Sequence, residues 1–91
     1  MMNGKKVYCF EAEIQKVPDI NGAYVIFPYD VRAEFGKGRV KVLALFDNYP
    51  YEGSLVRMGT PYHIIGIRKE IRKAIGKGPG DMVFVEIRER D

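Results

Sequence analysis

Residues 75–81, Ile75-Gly76-Lys77-Gly78-Pro79-Gly80-Asp81, place three glycines, a lysine and an aspartate in seven positions. Glycine with lysine is the composition of a phosphate-cradling loop, and the order of the elements around it decides whether it is one. A phosphate loop leads into a helix, so that free N–H groups and the positive dipole end face the anion. Here the helical pattern comes first: Ile67, Ile71, Ala74 and Ile75 form one apolar stripe at helical spacing. The loop therefore meets the carbonyl end of the helix. Gly76 reads as the left-handed residue that stops the helix, and Pro79 keeps it from resuming. Lys77 complements the dipole, and Asp81 caps the turn before the next strand.

The same stop occurs earlier. Phe35-Gly36-Lys37-Gly38 precedes the strand-like run Arg39 to Phe46, as Ile75-Gly76-Lys77-Gly78 precedes Met82 to Arg88. Aligning the two puts Phe27 on Ile67, Val31 on Ile71 and Arg32 on Arg72. With one residue of slack, Phe10 to Ile14 falls on Tyr51 to Leu55. This predicts two diverged copies of one unit, residues 7–47 and 48–90, within a single domain spanning 1–91. Each copy reads strand, strand, short helix, glycine turn, strand. Phe10, Ala12 and Ile14 alternate with Glu11, Glu13 and Gln15. Asn21-Gly22 marks a turn before Ala23 to Phe27, and Pro28 and Asp30 suit a helix start. Val40, Val42, Ala44 and Phe46 alternate again. Gly59-Thr60-Pro61 turns the second copy back into Tyr62 to Ile65. Six short strands with open edges invite aggregation. The expected fold is all-β with two short helices: a closed, six-stranded, double-split-like barrel whose halves are related by a pseudo-twofold.

Composition excludes several classes. With 46% hydrophobic and 30% charged residues the chain is an ordinary globular one. No apolar run approaches the ~20 residues of a membrane span, and Glu11 and Glu13 interrupt any signal-peptide core. The single cysteine, Cys9, has no internal disulfide partner, which fits a cytoplasmic setting. A net charge of +3 permits an anionic partner without requiring one. One histidine, His63, and one cysteine cannot build a metal cluster, so no metal or cofactor is expected. His63 is read as a hydrogen-bonded strand histidine, Cys9 as small filler, and Glu11 with Glu13 as a solvated face beside basic neighbours. No catalytic residues are assigned. Tyr49-Pro50-Tyr51 is either an exposed aromatic platform or a linker packed over a barrel end.

The charge on the second helix is the strongest asymmetry. Arg68, Lys69, Arg72 and Lys73 lie opposite the isoleucines with only Glu70 acidic among them, and Lys77 follows; the first helix carries Asp30, Arg32 and Glu34. These five basic residues are the candidate contact surface for an anionic partner; the other reading, which four basic residues on a helix favour, is a solubilising face of good helix formers.

Pro28-Tyr29-Asp30-Val31, Gly38-Arg39-Val40-Lys41-Val42, Gly53-Ser54-Leu55 and Ile71-Arg72-Lys73-Ala74-Ile75-Gly76 through Gly80-Asp81 resemble a known family. It is the small bacterial domain-of-unknown-function family found alone or ahead of a bacteriocin-protection-type (OmpD-associated-type) segment. The chain departs from it at Gly59-Thr60-Pro61, where the family often has a second glycine before the histidine. The chain ends at Asp91, and the fused segment is expected to be absent. The helix, glycine turn and Gly-Asp strand entry further resemble the swapped-hairpin barrels of bacterial transition-state regulators and antitoxins. The resemblance implies a double-split barrel and carries no catalytic residues. The leading expectation is a non-enzymatic binding module with an anionic or protein partner. The alternative is a nucleic-acid-binding regulator using the basic helix face. A ligand pocket inside the barrel is a third reading, and an enzyme the least favoured.

Overall fold

Alternation in the sequence becomes pleat in the structure. The computed structural model describes residues 6–17, 22–57 and 62–90. The expected turns at Asn21-Gly22 and Gly59-Thr60-Pro61 fall on or against residues outside these. In chain order the elements are β1 (Val7–Glu13), β2 (Gln15–Val17), β3 (Gly22–Ile26), α1 (Val31–Phe35), β4 (Val40–Phe46), β5 (Tyr49–Leu55), β6 (Ile64–Gly66), α2 (Lys69–Ile75) and β7 (Met82–Glu89). The fold is all-β with two short helices. All pairs are antiparallel, in a four-stranded sheet β1-β7-β4-β5 and a three-stranded sheet β2-β3-β6.

The core is the inward side of every strand. Val40, Val42, Ala44 and Phe46 of β4 and Val83, Val85 and Ile87 of β7 are buried, and Ala44 pairs with Ile87 as Phe46 does with Val85. Val25, Phe27, Ile65 and Ile67 bring the second sheet against them, and Val31 and Ile71 anchor the helices. Burying one such side chain contributes roughly 1.5–3 kcal/mol.

The described residues form two sheets and seven strands in place of one closed six-stranded barrel. The reason lies at Ile14, where the first strand changes partner. The Ile14 N–H donates to Asp81 O at 2.9 Å, its carbonyl accepts from Gly80 N at 2.8 Å, and the next residue, Gln15, pairs with Tyr24. Ile14 itself is buried at the bend. On the opposite side, among the described residues, β5 reaches the second sheet through a single bridge, Val56 with Ile64. One bridge is too short to form a strand ladder, so the sheets remain distinct.

Two further expectations are corrected. Tyr49-Pro50 is not a connector. Asp47 and Asn48 both take left-handed φ, 48° and 73°, and make the two-residue turn that pairs Phe46 directly with Tyr49. Glu11 and Glu13 do not face basic neighbours across the ladder; their partners on β7 are Phe84 and Met82.

Both helices end alike. Gly36 and Gly76 are left-handed, with φ 72° and 71°, and their N–H groups return to Arg32 O and Arg72 O. α1 begins at Asp30, whose Oδ1 accepts from Arg32 N at 3.0 Å and Ala33 N at 3.2 Å. α2 begins at Arg68, which makes no side-chain cap. Ala74 is exposed, because a helix of two turns buries only the line through Ile71 toward Ile75.

Candidate functional site

The lysines of the two glycine turns bind carboxylates of the opposite half. Lys77, after α2, places its ammonium 2.6 Å from Asp47 Oδ2, just beyond β4, and donates to Met82 O at 2.7 Å. Lys37, after α1, sits 2.6 Å from Glu89 Oε2 at the end of β7. The Asp81 carboxylate accepts from Gly78 N at 2.9 Å within its own turn. The sequence that suggested a phosphate cradle is thus a helix stop whose lysine latches one half to the other.

Asp47 is the better-built of the two latches, since its other oxygen accepts from Phe84 N at 2.9 Å. The hydrogen bond from Lys77 first, and then that from the Phe84 amide, hold the Asp47 carboxyl below its ordinary 3.8. A depressed folded-state pKa gives stability that is complete above the unfolded value and lost as pH falls through the folded one. Thermal melts across the acid range should show wild type losing stability below about pH 4. Asp47→Asn, which keeps the shape and removes the charge, should flatten part of that limb. An acid limb of the same slope in both proteins would deny the latch its role.

The basic residues of α2 divide by position. Ile67 N–H donates to Ala23 O at 2.9 Å, which sets the start of α2 over the beginning of β3. Between them lies a cleft of about 350 Å³ with Gly22, Gly66 and Tyr51 in its walls. Arg68, Lys69 and Arg72 line it, against the one carboxylate of Glu70. The Arg68 guanidinium stands 5.8 Å from the centroid of the Tyr51 ring, a cation–π contact. The Tyr51 ring lies over Gly53, where a Cβ would come within 2.5 Å of it. Arg72 turns partly inward and donates from Nε to Ile67 O at 3.2 Å. Lys73 is exposed one turn beyond Lys69 and does not line the cleft, and Lys77 is held by Asp47.

A second cleft, of about 450 Å³, opens at the start of α1, with Tyr29, Tyr62, His63 and Arg32 among its walls. Behind it Tyr8, Phe10, Phe27, Tyr29 and Phe35 form a cluster of edge-on and tilted rings, for instance Tyr8 with Phe27 at 5.5 Å and 72°. The Tyr8 hydroxyl donates to Glu34 Oε1 at 2.8 Å; burial, then that carboxylate, push its phenol up to about 12.

Residues 10–87 match the family described as Domain of unknown function (DUF1905). The chain belongs to that family. No curated protein matches it.

Of the groups considered for chemistry in this DUF1905 domain, Cys9 is exposed on β1 and pairs across the ladder with Glu86. His63 is buried, with Nε2 2.7 Å from Gly38 O. Among the described residues no three His, Cys, Asp or Glu side chains gather where a metal could be held, and no helix is long and apolar enough to cross a membrane. Sequence reasoning missed Tyr51 as the aromatic partner of Arg68. It had no means to see that the α1 aromatics flank a cavity, because Tyr29 and Tyr62 come from opposite halves.

Proposed function

We propose that this DUF1905 domain is a non-catalytic binding module whose α2 cleft receives acidic side chains of a partner protein. The observation that carries the reading is the convergence of Arg68, Lys69 and Arg72 on one concave surface, with a single opposing carboxylate. Lys73 extends the same charge along the exposed helix. An extended nucleic acid is less well served. Its affinity grows with the number of phosphates neutralised, and beyond this helix the exposed strand positions mix both signs, Glu11, Glu13 and Glu52 with Lys16, Lys41 and Arg88.

The same reading takes residues 7–47 and 48–90 as two copies of one unit, related by a pseudo-twofold in a double-split-type arrangement that the two sheets leave open. What supports it is that β3 and β6 pair about Val25 and Ile65, aligned positions, and that the two latches, Lys37–Glu89 and Lys77–Asp47, run in opposite senses between the halves. The proposed setting is the bacterial cytoplasm, where the lone cysteine stays reduced. A bacteriocin-protection-type protein, the association that the family resemblance implies, would be one such partner.

Titration with hexaglutamate, and with a single-stranded oligonucleotide of equal charge, tests this. The three exposed cations are reversed together, as Arg68→Glu, Lys69→Glu and Lys73→Glu; Arg72 is left because it bonds Ile67 O. The reversed protein should bind hexaglutamate about tenfold more weakly or not at all, roughly 1.4 kcal/mol or more, with an unchanged melting temperature. Wild type that prefers the oligonucleotide would turn the reading to a nucleic-acid regulator. Equal hexaglutamate affinity in both proteins would remove the α2 cleft as the contact.

A further inference from the structure

The two clefts share one scaffold. Phe27 N–H donates to His63 O at 3.0 Å as Ile67 N–H donates to Ala23 O at 2.9 Å. Each bond sets the start of a helix over a strand of the other half. The walls correspond, but their chemistry has changed: Tyr62 stands where the α2 cleft has Gly22, His63 where it has Ala23, and Tyr29 where it has Lys69.

These replacements add aromatic walls to a cleft that keeps the charged side chains of Asp30, Arg32 and Arg57. Tyr29 and Tyr62 are 45% and 48% exposed, large rings left in contact with solvent beside a cavity of about 450 Å³. That volume is in the range of small-molecule sites, which combine apolar walls with a few placed polar groups. Asp30, Arg32, Arg57 and His63 stand in the walls, and two of them, His63 and Arg32, are placed to meet a ligand. His63 is only 7% exposed. Its Nε2 faces the Gly38 carbonyl at 2.7 Å, where only a donor satisfies the oxygen, so in the neutral ring Nδ1 is left as an acceptor. Among the described residues Nδ1 has no hydrogen-bond partner. The Arg32 guanidinium likewise makes no ion pair among the described residues. The Asp30 carboxylate beside it is turned to the amides of Arg32 and Ala33.

We propose that the α1 cleft is a second binding site, for a small aromatic carboxylate. The ring lies against Tyr29 and Tyr62, the carboxylate pairs with the planar fork of Arg32, and His63 Nδ1 accepts from a donor on the ligand where there is one. A free phosphate would satisfy Arg32 but leave the tyrosine walls unused. The proposal does not depend on the α2 cleft.

Benzoate is the probe, followed by backbone amide shifts of the full chain, with benzamide as the uncharged analogue and acetate as the one without a ring. Benzoate should shift Tyr29, Arg32, Tyr62 and His63 saturably, with a dissociation constant on the order of 1 mM. Benzamide and acetate should each bind about tenfold more weakly. Arg32→Gln should erase the preference for benzoate over benzamide, Tyr62→Ala should weaken both ring compounds, and Arg68→Glu should change neither. Absence of saturable shifts at these residues, equal binding of benzamide, or affinity indifferent to both Arg32→Gln and Tyr62→Ala would overturn the proposal.

Discussion

Replacing Phe46 by alanine should remove about 3–5 kcal/mol of stability, a large share of the ~5–15 kcal/mol available to a small domain. Phe46 is the last inward residue of β4 and fully buried. It pairs with Val85 on one side and Tyr49 on the other, so its ring sits where β7, β4 and β5 meet. That ring is also 6.3 Å from Tyr51, the residue that carries Arg68. A cavity there would loosen the wall of the α2 cleft as well as the core. Urea unfolding followed by circular dichroism should show the midpoint falling with little change in slope. A loss below about 1 kcal/mol would mean that the Phe46 ring is not packed in the core where β7, β4 and β5 meet.

The next largest effect is expected at the helix stops. Gly36 and Gly76 hold φ of 72° and 71°, and a Cβ built on either meets nothing within 4 Å. The cost of a side chain there is therefore conformational, not steric crowding against neighbours. Each valine should cost about 1–2 kcal/mol, and Gly36→Val with Gly76→Val together about 2–4 kcal/mol, because the two stops share no partners. Gly78 is the control. It also has open space but no left-handed φ, so Gly78→Ala should be neutral or slightly stabilising. If both stops accept valine without a change in melting temperature, the helices do not end by left-handed capping.

What the sequence made legible was local. Alternating apolar residues marked the inward faces of β4 and β7, and Gly-Lys-Gly after an apolar stripe marked both helix stops. The hairpin at Asp47-Asn48 was also local but went unread, because aspartate and asparagine announce left-handed backbone less plainly than glycine does. The break at Ile14 had no local sign at all. Phe10 to Gln15 alternates without interruption, and only the approach of Gly80 and Asp81 on one side and Tyr24 on the other makes that strand change partner. The site divides the same way. A basic α2 could be read from residue types, but the inward turn of Arg72 and the capture of Lys77 by Asp47 depend on which segment lies across from them. So does the meeting of Tyr29 with Tyr62 around one cavity.

If the α2 cleft reads charge, reversing its cations should exchange its ligand and not merely abolish binding. The decisive measurement is a charge swap: wild type and the Arg68→Glu, Lys69→Glu, Lys73→Glu protein, each titrated with hexaglutamate and with hexalysine at low and at physiological salt. Wild type should bind hexaglutamate, the reversed protein should lose it and gain hexalysine, and both affinities should fall as salt screens the exposed charges over ~10 Å. Hexaglutamate binding that survives the reversal, or that ignores salt, would contradict the assignment of this cleft.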